Sequence, residues 1–308
     1  MIFEGDKSVI AVIKEKKRLM EEGKPHEHLR PLLFIDGGLM KGAYGIGASL
    51  ALEELGLDHV FSYVVGISSG APTVAYLLAR ETIKGANIMV EEGCSRKTIN
   101  MWRIWNQVDT KYFMSVLKEN KENKLSLDNH FSSYTKLYIG VADYRTGKPE
   151  LLEPKNAEEL FTAIQASVLM PNISTDIVKF NDIRYVDGGF TRPHALKKVI
   201  DKLDATHILV ITNQDKTVST IPKLERLLNH TIFRWRMPKA LRFAAHERKK
   251  ERFKVIEEMN KNHHVPHALV WGDHSIRSME RDPAIVRSVI ERSRVWWREL
   301  LADKSADA

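Results

Sequence analysis

The stretch "VVGISSGAPTVAYLLA", Val64 to Ala79, joins a β-branched run to a helix-like run through a serine held between two glycines. Val64 and Val65 favour an extended strand. "APTVAYLLARETI" (71–83) reads as helix, with Pro72 tolerable in its first turn. A chain that passes from strand to helix this quickly turns sharply at Ser68. Gly66 and Gly70, two residues to either side, carry no Cβ and leave the corner room. The corner side chain then projects from the carboxyl edge of a sheet. It stands beside a helix N-terminus, where N–H groups and the helix dipole favour negative charge. This is the layout of the G-x-S-x-G nucleophile elbow. The pentapeptide also suits an ordinary turn, and Ser69 is a neighbouring hydroxyl that lacks the two flanking glycines.

Outward from this corner the chain repeats one pattern. "PLLFID" (31–36) is an apolar strand, and "KGAYGIGASLALEELGL" (41–57) is helical with Gly56 as its stop. "VFSYVVGI" (60–67) is the next strand. "KLYIGVADY" and "KPELLE" flank "RTG", and "DIVKF" and "IRYVDGG" flank "ND"; both read as hairpins. "NAEELFTAIQASVLMP" (156–171) is a helix with Asn156 as its cap and Glu159 three residues on. A helix "RPHALKKVIDKLD", a strand "THILVIT", a largely helical stretch 221–261, a strand "HALVWGD" and a last helix from 282 follow. Residues 92–135 read as irregular helix. Alternating elements of this kind predict an α/β fold with three layers, α/β/α, around a mostly parallel central sheet. The expected division is a helical lead-in (1–30), a catalytic core (31–215) and a C-terminal helical and strand extension packed on it (216–308).

With 308 residues, the chain can hold one large α/β domain or two small ones. No apolar run reaches the ~18 residues of a membrane span. The N-terminal "VIAVI" is too short and lacks a cleavage site for a secretory signal. The single cysteine, Cys94, excludes an internal disulfide and suits a reducing compartment, so a cytoplasmic protein is expected. The net charge of +7 is concentrated. Residues 223–254 hold eleven Lys/Arg against three Glu, so the rest of the chain is close to neutral. That segment interleaves its cations with Phe, Trp, Met and Leu. It suits either a peripheral helix on an anionic membrane or a helix packed on the sheet. No nucleic-acid partner is expected, and the oligomeric state is open.

A serine nucleophile needs an oxyanion hole and a base. "DGGLMKG" (36–42) follows the preceding strand, and in a parallel sheet its Gly37–Gly38 turn lies at the same edge as Ser68. It lacks the G-x-G-x-x-G of a dinucleotide site, and Lys41 is followed by Gly42 rather than the Ser/Thr of a Walker loop. "RYVDGGF" (184–190) ends another apolar strand on Asp187, then Gly188 and Gly189. Asp187 is the first candidate base. Among the twelve histidines His274, in "VWGDHS", is the competitor. His263, His264 and His267 lack the carboxylates or cysteines of a metal site, so no metal and no cofactor are expected.

In order, "DGGLMKG", "GISSG", "ASVLMP" and "VDGG" resemble the motifs of the patatin-like phospholipase family, over about residues 31–215. The chain looks most like the family's bacterial branch. The resemblance implies a patatin-like α/β/α fold and a lipid acyl hydrolase that cleaves carboxylic esters through an acyl-enzyme. It implies Ser68 as nucleophile and Asp187 as base, with no histidine. It implies an oxyanion hole from the N–H groups of Gly37, Gly38 and Leu39, with Lys41, Gly42, Gly66, Gly70, Gly188 and Gly189 as motif support. Two departures stand out: Leu39 replaces the loop's third glycine, and Lys41 replaces its arginine. They leave a second reading, a weak or inactive patatin-fold protein that binds anionic lipid in a regulatory role.

Overall fold

The computed structural model describes residues 1–103, 106–127, 134–171, 173–174, 176–216, 237–244 and 265–302. Most of the basic segment 223–254 therefore lies outside the described residues. Nine strands among them form one sheet in the order β1-β9-β8-β2-β3-β4-β7-β6, with β5 also on β4. The strands are β1 (Ile2–Gly5), β2 (Pro31–Ile35), β3 (Tyr63–Ile67), β4 (Lys136–Asp143), β5 (Pro149–Leu152), β6 (Val178–Phe180), β7 (Ile183–Asp187), β8 (His207–Asp215) and β9 (His267–Gly272). The five central strands β9, β8, β2, β3 and β4 are mutually parallel, and the edges are antiparallel. The fold is α/β, as the alternating pattern predicts.

Every residue of β2 is buried because both faces of the sheet are covered, which is why this strand reads as a continuous apolar run. Leu33, Ile35 and Val64 face one core. That layer contains α1 (Ser8–Glu21), α2 (Ala43–Glu54), α3 (Gly70–Ala79) and α6 (Ala157–Val168). Leu32, Phe34, Val65 and Ile67 face the other core, where α7 (Arg192–Lys202) packs. The chain steps one way from β2 to β4, then returns to β8 beyond β2. Right-handed crossovers therefore put α7 on the opposite face.

Two helices complete the site layer: α4 (Thr82–Ile88), continued by a π-helical turn to Gly93, and α5 (Thr110–Glu119). The last helix, α8 (Pro283–Ala302), buries Val286, Val289, Ile290, Ser293, Trp297 and Leu301, an i/i+3/i+4 stripe. It lies so close to α2 that a Cβ on Gly47 would stand 2.4 Å from the Ile290 carbonyl. Ser293 Oγ donates to the Tyr44 carbonyl at 2.8 Å. The C-terminal helix thus clamps the helix that follows the 36–42 loop.

Several local expectations and the structure differ. The lead-in begins with a strand: Ile2–Gly5 pairs with β9. The helix expected over 71–83 is two helices, because Arg80 turns left-handed (φ 59°) and its guanidinium reaches the buried Asp58 at 2.7 Å. Both hairpins form as read. In the second, Asn181 and Asp182 have φ of 48° and 63°, as a two-residue turn of this hand requires. Asn156 caps α6, its side chain accepting from the Glu159 N–H at 2.9 Å.

Candidate active site

Strand register alone brings three separate loops together. In the β2–β3 pair, Ile35 stands opposite Gly66, so the next residues continue with Gly37 beside Ser68. In the β3–β4 pair, Ile67 stands opposite Gly140. Asp187, the last residue of β7, stands opposite Val141, one step further along β4. β5 pairs with the same β4 residues as both β3 and β7, so it occupies the opposite edge. β3 and β7 therefore share one edge of β4 and meet end to end. The loop after β3 begins with Ser68, where β7 ends in Asp187.

Ser68 Oγ donates to Asp187 Oδ2 at 2.7 Å. Both residues are buried, at 5% and 3% exposure. Asp187 Oδ1 accepts the Gly189 N–H at 2.6 Å, and the Asp187 N–H donates to the Leu169 carbonyl at 2.8 Å. These bonds fix the carboxylate with one oxygen toward the serine. Ser68 has φ 53°, the left-handed corner that an elbow imposes on a non-glycine residue. Its own N–H donates to Ser167 Oγ at 2.8 Å, and that hydroxyl donates to the Gly140 carbonyl at 2.7 Å. Ser167 belongs to the "ASVLMP" stretch and is completely buried. α3 starts two residues after Ser68, with its positive end at the hydroxyl.

The glycines are required by contact. A Cβ on Gly70 would lie 2.2 Å from the Ile35 carbonyl oxygen, and one on Gly66 would lie 2.6 Å from the Gly70 carbonyl oxygen. A Cβ on Gly37 would lie 2.4 Å from Ser68 Cβ. Gly42 packs on Ser69, and Gly188 on the Gly140 carbonyl.

The 36–42 loop is tied down from outside its own motif. Gln214 Nε2 donates to the Gly37 carbonyl at 2.9 Å, Asn213 Nδ2 donates to the Asp36 carbonyl, and the Met40 N–H donates to the Ser278 carbonyl at 3.1 Å. Of the three amides expected at the oxyanion, that of Gly37 donates to Asp36 Oδ1 at 2.7 Å. The Gly38 and Leu39 N–H groups make no hydrogen bond among the described residues. Leu39 adopts φ 53°, the left-handed conformation a glycine would take there without cost. Lys41, half-buried, is the third residue of the short 3₁₀ turn Leu39–Gly42.

Ser68 opens on a cavity of about 820 Å³, the part open to solvent included, between α3, α4 and α5. Leu39, Tyr76, Met89, Phe113, Leu117 and Val168 are among its mainly apolar walls. His274, the competing base, directs Nδ1 to the carboxylate of Asp215 at the end of β8, whereas the acceptor of the Ser68 hydroxyl is Asp187. No group of His, Cys, Asp and Glu among the described residues is arranged to hold a metal. No helix among them is long and apolar enough to cross a membrane. Sequence reasoning missed Ser167, Asn213 and Gln214. Ser167 was marked only by its place in "ASVLMP", without a role, and no motif marked Asn213 or Gln214.

The fold and this edge define a class: an α/β protein with a serine hydroxyl on a strand–helix corner, bonded to a carboxylate and facing an apolar cavity. The family model "Patatin-like phospholipase" matches residues 33–200, more than half of the chain, and the chain belongs to that family, one of lipid hydrolases. No curated relative matches the sequence. Among solved structures it is similar to VipD from Legionella pneumophila, at 10% identity and a TM-score of 0.43, covering 88% of this chain and 66% of that one. It is also similar to the ExoU–SpcU complex of the type III secretion system of Pseudomonas aeruginosa, at 14% identity and a TM-score of 0.31, covering 91% and 67%. The chain spans about two thirds of the length of each.

Proposed function

We propose that this protein is a lipid acyl hydrolase that cleaves carboxylic esters with Ser68 as nucleophile and Asp187 as general base. The observation that carries the reading is the 2.7 Å hydrogen bond from Ser68 Oγ to Asp187 Oδ2 beside an apolar cavity. With no imidazole between them, the carboxylate has to touch the hydroxyl, and that distance is within proton-transfer reach. As Oγ attacks the ester carbonyl, its proton passes to Oδ2. The Gly38 and Leu39 N–H groups hold the oxyanion. Collapse expels the alcohol, which leaves with the proton from Asp187, and the acyl group stays on Ser68. Water then attacks this acyl-enzyme as Asp187 takes its proton; collapse breaks the acyl–Oγ bond, the proton passes from Asp187 back to Ser68 Oγ, and the fatty acid departs.

The left-handed turn at Leu39 supports the active reading over the lipid-binding inactive one, since the loop takes the shape its missing glycine would give. On this reading the chemistry resides in 31–215, in a cytoplasmic protein that meets membranes peripherally. The contact expected through 223–254 lies largely outside the described residues.

Asp187→Asn tests the assignment, since the amide keeps the shape but accepts no proton. Loss of a general base costs about 10²–10⁴ in kcat. A drop of that size at near-constant KM is expected on a soluble ester. Turnover within threefold of the parent would remove Asp187 from the chemistry.

A further inference from the structure

After the π-helical turn, residues 95–103 lead away from α4, and residues 106–109 lead into α5. At their base Thr98, Ile99 and Val108 line the cavity that holds Ser68. Ile99 and Val108 form a two-residue antiparallel bridge, and Asn100 N–H donates to the Gln107 carbonyl at 2.8 Å. Further out, Met101 is 53% exposed and Trp102 91%. An indole so exposed gains nothing from the protein interior.

This turn is also held stiff. Arg103 Nη1 reaches Asp109 Oδ2 at 3.2 Å. Its Nη2 donates to the carbonyls of Lys97 at 2.9 Å and Thr98 at 3.2 Å. The Trp102 N–H donates to Asn100 Oδ1 at 3.0 Å. Four hydrogen bonds thus brace the turn that carries Met101 and Trp102. The charged residues of 95–103 are Arg96, Lys97 and Arg103, all cationic. Arg103 is committed to Asp109 and to the carbonyls of Arg96 and Lys97, whose own side chains are exposed; Lys97 Nζ lies 5.6 Å from the centre of the Tyr112 ring.

We propose that this turn is an interfacial anchor: Trp102 and Met101 enter the headgroup region of an anionic lipid surface, and Arg96 and Lys97 meet its phosphates. An amphipathic indole sits at the headgroup level of a bilayer. Basic residues beside it gain from the negative surface potential. The base of the same turn walls the cavity, so docking the tip sets the catalytic cavity against the surface that supplies its ester. This rests on the lipid-hydrolase reading, and it locates the membrane contact outside the basic segment 223–254.

The test measures partition onto two vesicle types, phosphatidylcholine with phosphatidylglycerol and phosphatidylcholine alone, by cosedimentation in the Ser68→Ala background so that no lipid is consumed. Trp102→Ala is expected to weaken partition roughly tenfold. Arg96→Ala with Lys97→Ala should weaken it about 30-fold on the anionic vesicles and little on the neutral ones. Trp102→Tyr should retain most of the binding. With Ser68 intact, all of these variants should turn over a monomeric soluble ester like the parent. Vesicle binding unchanged in Trp102→Ala would overturn the anchor. Equal loss of soluble-ester turnover in that variant would overturn it too, by making Trp102 part of the site. Failure of the parent to cleave any ester would sink the hydrolase reading instead, while partition is still measured independently.

Discussion

Ser167 Oγ sits between the Ser68 N–H and the Gly140 carbonyl, at 2.8 and 2.7 Å, and so ties the elbow to the neighbouring strand. Ser167→Ala would leave both backbone groups buried without a partner, at about 1–3 kcal/mol each. It would also free a corner held at a left-handed φ. A lower melting temperature and a lower kcat are expected, with KM little changed. Calorimetry beside ester kinetics checks this; parent-like values in both would show that the bridge positions nothing.

Gly37 has no space for a side chain because the β2–β3 register sets it against Ser68. Gly37→Ala is expected to fold, since the displacement falls on a loop, but to lose at least ~10² in kcat as the oxyanion donors move. Circular dichroism and kinetics on the same sample separate the two effects. Full activity would mean that Ser68 and the 36–42 loop move independently.

Leu39→Gly removes a left-handed leucine, worth roughly 1–2 kcal/mol of relief. It also loses leucine contacts and loosens the unfolded chain. These oppose one another, so stability should change by less than about 1 kcal/mol. Ester turnover should stay near that of the parent. Activity that arises only in the glycine variant would show that the natural loop is misformed.

The apolar cavity predicts a chain-length dependence. Each methylene buried in it contributes about 0.8 kcal/mol, or roughly a fourfold step in kcat/KM. A series of 4-nitrophenyl esters should climb in such steps and then level off when the cavity is full. A flat series from the shortest ester onward would separate the cavity from acyl binding.

Lys16 is buried on α1 and donates to Ser62 Oγ at 2.8 Å; burial pulls its pKa down to about 8, against the opposing pull of Glu27. In the unfolded chain its pKa is 10.5. Between those values the unfolded state holds more protons, so stability rises with pH across that window, and below about 8 the penalty is constant. Lys16→Met should abolish the rise. Denaturant unfolding of both proteins at pH values on either side of 8 measures the difference. Parallel pH profiles would contradict it.

The elbow was legible because its demands are local. A sharp corner needs small neighbours, and Gly66 and Gly70 are two residues from the serine. The hairpin turn Asn181–Asp182 and the Asn156 cap were legible for the same reason. Asp187 was weaker from residues alone, because an Asp-Gly-Gly turn carries no mark of what it faces. Its meeting with Ser68 depends on two strands abutting along β4, a long-range fact. Arg80 escaped because its side chain's bond to Asp58 overrides a sequence that reads as continuous helix. β1 escaped because four residues carry too short a period. Arg103 escaped because most of its partners are backbone carbonyls, which no side-chain pattern announces.

The central claim is that the Ser68 hydroxyl is a nucleophile activated by the carboxylate it touches. A fluorophosphonate ester, which reacts with activated serines, tests it most directly, with the modified peptide located by mass spectrometry. The expected result is one adduct, on Ser68, absent from Ser68→Ala and much slower to form in Asp187→Asn. An adduct that persists in Ser68→Ala, or that forms on another residue, would contradict the account.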